Sequence, residues 1–168
     1  GLNDRALSAL ERAAQLAPHL GKPQAEMARV YLQLGKRAKA SAAAEAAVEL
    51  DPNSTDVLGA VADVFMQTNH HAQGVAASRK VAKGRPDDAA ALMNLARALL
   101  VEKESALVGN FSKLKESERT EIMNLLARAA ELGAEKNLIS AWKARARALG
   151  GDFAQAIPLL ESVVANSP

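Results

Sequence analysis

Apolar residues along this chain recur at the spacing of a helix. Between residues 21 and 34, Met27, Ala28, Tyr31 and Leu34 fall at i, i+1, i+4 and i+7, which is one stripe of a 3.6-residue helix and not the alternation of a strand. The pattern repeats to the far end. It predicts helices near 4–17, 22–34, 38–50, 56–67, 72–83, 89–102, 118–132, 138–149 and 153–165. Breaks between the stripes carry their own chemistry. The stretch AVELDPNS (47–54) ends a helix at Asp51-Pro52, because proline has no N–H to continue the ladder and biases its predecessor away from helical angles. AAQLAPHL (13–20) and VAKGRPDD (81–88) have the same shape. Ser54-Thr55-Asp56 and Asp87-Asp88 supply N-cap oxygens, and Pro23 suits a first turn.

These stops are periodic. Pro18, Pro52 and Pro86 stand 34 residues apart, a period typical of stacked helical repeats. With proline at position 32, units run 21–54 and 55–88, and a third starts at 89. Position 8 is then Ala28, Ala62 and Ala96, position 11 is Tyr31, Phe65 and Leu99, and position 7 is Met27, Val61 and Leu95. The register fails at residue 120, where threonine stands in the proline slot, and returns at AAELGAEK (129–136), which puts Ala134 in that slot and a 14-residue insertion near 104–117. A last unit, 137–168, carries Ala144, Gly151, Ala156 and Val163 at positions 8, 15, 20 and 27 and closes on Pro168. Residues 4–18 read as the second helix of a preceding unit. Small residues at positions 8 and 20 allow paired helices to approach to roughly 8–10 Å.

Small residues at 8, 20 and 27, glycine at 15 and proline at 32 resemble the tetratricopeptide repeat, and unit 21–54 matches best with Ala28, Tyr31, Gly35, Ala40, Ala47 and Pro52. The resemblance implies an all-α fold, a right-handed α-α superhelix (solenoid) of antiparallel helix pairs forming a single domain over 1–168. It departs at Gln24, where a bulky residue is usual, at Asn69 and Lys103 in the glycine slot, and at Ala134.

Composition narrows the functional classes. The 168 residues are 49% hydrophobic and 24% charged, enough for a real core. Aromatic content is 3%, too low for a stacking platform for single-stranded nucleic acid. The net charge of +2 gives no nucleic-acid footprint. Absent cysteine excludes disulfides, thiolate metal sites and thiol nucleophiles, and leaves the compartment open between cytoplasm and periplasm. No apolar run approaches the ~18 residues of a membrane span. The opening GLNDRA lacks methionine and any signal-peptide pattern, which reads as a piece of a longer, bacterial scaffold.

Catalytic and cofactor signatures are missing. There is no phosphate-cradling glycine loop, no G-x-S-x-G and no H-E-x-x-H, so the expectation is a non-enzyme without cofactor or metal. His70-His71 falls at a turn, and adjacent helical residues point about 100° apart, so a solvated turn outweighs metal ligation.

Function is then expected on a surface. Stacked helix pairs leave a concave groove lined by first helices. Positions 2, 5, 6, 9, 12 and 13 share the face turned away from position 8. They give Lys22, Glu26, Arg29 and Gln33, then Asp63, Met66 and Gln67, then Met93, Asn94 and Arg97, then Trp142 and Arg145. Position 9 reads Arg29, Asp63, Arg97 and Arg145, either a basic row for the acidic groups of an extended peptide or ordinary solvated charges. Trp142, the single tryptophan, is either a binding anchor or packing between helices. Of the residues by which carboxylate-clamp members of the family grip chaperone tails, only Asn94 has a counterpart, so that partner is disfavoured.

The insertion presents Leu107, Phe111 and Leu114 at helical spacing beside a Gly109-Asn110 turn, as a lengthened hairpin or a short extra helix. Phe111 is then an edge contact for a partner or a cover for neighbouring apolar surface. Both ends of the array lack polar capping helices, which opens a route to self-association. The leading expectation is a scaffold binding a protein or peptide. The alternatives are the regulatory part of a larger enzyme, such as a transferase, and a self-assembling module of an envelope secretion or maturation machine.

Overall fold

The computed structural model describes residues 1–107 and 113–165. Among the described residues there are nine α-helices and no strand: α1 (Leu2–Leu16), α2 (Gly21–Gln33), α3 (Arg37–Leu50), α4 (Thr55–Gln67), α5 (His71–Gly84), α6 (Ala89–Leu107), α7 (Glu116–Glu131), α8 (Lys136–Leu149) and α9 (Phe153–Ala165). The helix pairs expected from the periodicity are those observed, and the chain divides into two compact units, Gly1–Gly84 and Arg85–Pro168.

In the first unit α2 pairs with α3 and α4 with α5, while α2 also lies on α1 and α4. The core is built on small residues. Ala28, Ala40, Ala44 and Ala47 are wholly buried, and Val57, Val61 and Phe65 of α4 close over them. Leu7, Leu10 and Ala14 of α1 and Tyr31 of α2 cover its edge. Each large side chain buried here contributes about 1.5–3 kcal/mol. Two glycines mark close approaches. A β-carbon at Gly21 would run into the Ala47 carbonyl oxygen, and one at Gly74 would meet the Met66 side chain and stand 3.3 Å from the Ala62 carbonyl oxygen.

In the second unit α7 packs on α6 and α8, α8 on α9, and α6 touches α8. Leu100, Ile122, Leu126, Ala129 and Ala144 are among its most deeply buried members.

The turn between the helices of a pair is closed the same way three times. The Lys36 N–H donates to the Tyr31 carbonyl at 2.9 Å, His70 to Phe65 at 2.8 Å and Asp152 to Arg147 at 2.9 Å, bonds of the Schellman type. The residue ahead of each donor is left-handed: Gly35 at φ 70°, Asn69 at φ 66° and Gly151 at φ 82°. Asparagine tolerates this conformation best among residues with a side chain, which accounts for Asn69 in the glycine slot. At the third turn Lys103 offers no such stop, and α6 runs on to Leu107, 19 residues against 13 in α2 and α4. At the Ala134 departure Gly133 takes φ 87°, and the Ala134 N–H closes on the Ala129 carbonyl at 3.0 Å. Glycine thus ends α7 where proline follows α3 and α5.

Helix starts are capped where expected. Ser54 Oγ accepts the Val57 N–H at 3.3 Å, and Asp88 Oδ1 accepts those of Ala90 and Ala91 at 2.9 and 3.2 Å. Asp87 instead pairs with Arg128 of α7 at 2.8 Å.

At the insertion, 104–107 extend α6, 113–115 are non-helical and α7 begins at Glu116, while 108–112 lie outside the described residues. Leu114, expected at helical spacing, lies in a non-helical segment, buried, with its N–H on the Leu149 carbonyl at 3.0 Å. Phe111 lies outside the described residues.

Candidate functional site

The exposed face of the first helices was the sequence-based candidate, and each unit presents its own portion. On α2, Lys22, Arg29 and Gln33 are exposed and Glu26 half-buried. Arg29 Nη1 reaches Glu26 Oε2 at 3.1 Å, one turn along the same helix. On α4, Asp63 and Gln67 are exposed. Met66 is only 6% exposed, because position 12 of α4 turns toward α5, where Gly74 makes room for its thioether. Met66 is therefore a core residue and is removed from the ligand-facing set.

On α6, Asn94 is exposed and Arg97 half-buried. Met93 is 7% exposed and also belongs to the core. On α8, Trp142 is half-buried and Arg145 exposed. The Arg145 guanidinium lies over the Trp142 ring, 5.3 Å from its centroid, a cation–π arrangement. The same guanidinium donates through Nε and Nη2 to the two carboxylate oxygens of Glu104 on α6. This fork-to-fork pair is the geometry arginine is suited to, and its hydrogen bonds to Glu104 raise the Arg145 pKa, with burial pulling the other way. Glu104, Arg145 and Trp142 thus form one cluster joining α6 to α8.

Glu104 escaped sequence reading for a specific reason. The repeat template ends this helix near residue 102, so Glu104 was assigned to the insertion and not to a helix face. Lys103 in the glycine slot was the available signal.

A second polar network ties α6 to α7. Lys103 Nζ meets Glu118 Oε1 at 2.8 Å, and Glu118 Oε2 accepts the Lys115 N–H at 3.0 Å. The hydrogen bond from Lys103 lowers the Glu118 pKa, and its counterpart raises that of Lys103. Near the α8–α9 turn, Asp152 accepts from Arg147 at 3.1 Å, and Arg119 stands 3.9 Å away.

His70 Nδ1 lies 3.0 Å from Thr68 Oγ1, and its ring meets Phe65 edge-on at 6.3 Å. His71 opens α5, so the two imidazoles belong to different elements. Among the described residues no group of three or more histidines and carboxylates is placed to hold a metal ion. No described helix is long and apolar enough to cross a membrane.

Models of the tetratricopeptide repeat match residues 1–64 and 60–107. No sequence among curated proteins matches. Solved structures are similar over nearly the whole chain. MamA (residues 41 to the end) from Desulfovibrio magneticus RS-1 is 16% identical with a TM-score of 0.74, covering 98% of this chain and 85% of its own. MamA of AMB-1 gives 16% identity, a TM-score of 0.74 and coverage of 98% and 89%. YrrB, described as a TPR protein with an unusual peptide-binding site, is 13% identical with a TM-score of 0.74, covering 97% and 77%. At these identities the likeness is one of fold.

Proposed function

The chain belongs to the tetratricopeptide repeat family, and from that premise we propose that it is a non-catalytic scaffold that binds segments of a partner protein on the exposed first-helix face of each unit. The observation that carries the reading is the Glu104–Arg145–Trp142 cluster. A half-buried indole beneath an arginine offers an apolar platform and a planar donor fork side by side, the pairing enriched among residues that dominate binding. Arg29 is also paired, through Nη1 alone, with Glu26 of its own helix. An incoming carboxylate therefore exchanges for an internal one, so no guanidinium is left uncompensated in the empty state. The partner expected is a peptide with acidic side chains or a free carboxyl terminus; the description of YrrB as having a peptide-binding site supports a peptide ligand and no more.

The test is selection of a displayed peptide library on the full chain, followed by titration of a selected peptide against Arg145→Gln and Arg29→Gln variants. Weakening by about tenfold in either variant, a loss of roughly 1.4 kcal/mol, supports the reading. Unchanged affinity of a selected acidic peptide in both variants rejects it.

A self-assembling module is favoured by a different observation. Helix α9 exposes Phe153, Ile157, Leu160 and Val164, at 62, 53, 47 and 75%. Their 4-3-4 spacing is a coiled-coil seam that a second copy can match. Sedimentation equilibrium of the full chain, with a Leu160→Asp control, separates this reading from a monomeric scaffold.

A further inference from the structure

A surface hollow of about 260 Å³ lies between α3 and α5 with α4 as its floor. We propose that it is a second binding site, independent of the first-helix face, which anchors one leucine or phenylalanine side chain of a partner peptide with a lysine or arginine beside it.

The hollow is on the far side of α4 from the residues considered above. Leu58 and Phe65 form its floor. They stand seven residues apart and share a face, from which Asp63 and Gln67 are turned by about 140° and 180°. The cavity exists because of a mismatch in side-chain size. Val48 of α3 and Leu58 and Phe65 of α4 are large, whereas α5 contributes Ala76 and Ala77, whose side chains end at the β-carbon. Leu58 and Phe65 at its base keep only 2 and 3% of their surface exposed, so the hollow is lined above them by Val48, Ala76 and the rim. Water in an apolar hollow finds few partners, so an apolar side chain that displaces it gains both contact and hydrophobic free energy.

The rim supplies polarity. Glu45 and Glu49 are exposed, lie one turn apart on the same face of α3, and border the hollow. Among the described residues neither carboxylate takes part in an ion pair or hydrogen bond. Like charges at i and i+4 on a helix repel, and a cation between them relieves that repulsion. Across the opening the Lys80 ammonium is occupied by the Pro52 carbonyl at 2.9 Å. Gln73 completes the rim with an amide able to pair with a peptide backbone. Two bare carboxylates repel phosphate groups, which disfavours nucleic acid and anionic lipid. The small volume admits a single large side chain and excludes a broad apolar surface. A short basic-apolar peptide segment meets both conditions.

The experiment is a titration of the isotope-labelled full chain, followed by amide NMR, with the peptide acetyl-Ser-Arg-Leu-Phe-Arg-Ser-amide. Its controls are acetyl-Ser-Asp-Leu-Phe-Asp-Ser-amide and acetyl-Ser-Arg-Gly-Gly-Arg-Ser-amide. The basic-apolar peptide is expected to shift the amides of Val48, Glu49, Ala76 and Ala77 and to bind about tenfold more tightly than either control. Ala76→Leu fills the hollow from an exposed position and is expected to abolish those shifts. The double variant Glu45→Lys, Glu49→Lys is expected to reverse the preference toward the acidic control, and it tests the site even if Ala76→Leu disturbs folding. Equal binding of the acidic and basic peptides, or shifts confined to α2 and to Asp63 and Gln67, would overturn the proposal. So would shifts produced by phenethylammonium when the peptide produces none.

Discussion

Asn69 and Gly35, 34 residues apart, hold the same left-handed backbone, at φ 66° and φ 70°. In each case the next N–H, that of His70 or Lys36, closes the turn on a carbonyl five residues back. Sequence identity is lost at this slot while the conformation is kept. A side chain with a β-carbon costs about 1–2 kcal/mol in this region, and asparagine offsets part of that cost by local hydrogen bonding. Asn69→Gly is therefore expected to leave the urea midpoint unchanged or slightly raised, whereas Asn69→Val lowers stability by about 1–2 kcal/mol. Equal midpoints for the two variants would show that the turn does not need φ above zero.

The α4–α5 crossing is a second point of constraint. Ala62 is 8% exposed, and its carbonyl faces Gly74 closely enough that even a β-carbon there would stand at 3.3 Å. Ala62→Leu adds three carbons at this crossing and is expected to destabilise by about 1–3 kcal/mol through overpacking. Chemical denaturation measures it, and an unchanged midpoint would mean that position 8 is not the contact.

At the first residue of α2 the obstacle is backbone. A Gly21 side chain would meet the Ala47 carbonyl oxygen, which cannot rotate away as a methionine tip can. Gly21→Ala is expected to lower thermal stability although alanine is the better helix former. A rise in melting temperature would contradict this.

Glu104 and Arg145 are expected to be coupled by about 0.5–1 kcal/mol in a double-mutant cycle, the range for a well-formed but partly exposed ion pair. Because the guanidinium covers the single indole, Glu104→Gln is also expected to alter Trp142 emission without changing helicity. Identical emission spectra would show that the pair does not hold the arginine over the ring.

The Lys103–Glu118 bridge makes stability depend on pH. The Glu118 carboxyl is held below its ordinary value by the Lys103 hydrogen bond. Its contribution is therefore complete above the ordinary carboxyl range, about 4.3, and is lost as pH falls through the depressed value. Lys103 is raised, so its contribution is complete below about 10.4 and fades as pH rises through the higher value. Both side chains are near a third exposed, which limits the effect to roughly 0.5 kcal/mol. The stability difference between the protein and Glu118→Gln should be flat between those limits and shrink toward zero in acid. A difference that grows below about pH 4 would reverse the assignment.

How far the chain could be read from its sequence differs between fold and site. Helices at period 3.6, the small residues at the crossings and the caps at Ser54 and Asp88 are local signals, and the helices begin within two residues of where they were expected. What escaped was set by tertiary context. Met66 and Met93 lie at positions that sequence spacing assigns to the exposed face, yet both are buried, since a helix with neighbours on several sides has a wider apolar arc than one stripe implies. Glu104 was missed because α6 overruns its template, and the hollow above Leu58 and Phe65 because it depends on which alanines of α5 face α3. A sequence records the alanines but not the space left over them.

The backbone bond between Leu114 and Leu149 has a practical consequence. It staples the downstream root of the insertion to the end of α8, while the upstream root is the end of α6. A substitution that displaced Leu114 would therefore be felt at the far end of α8 as well, where it would free the Leu149 carbonyl.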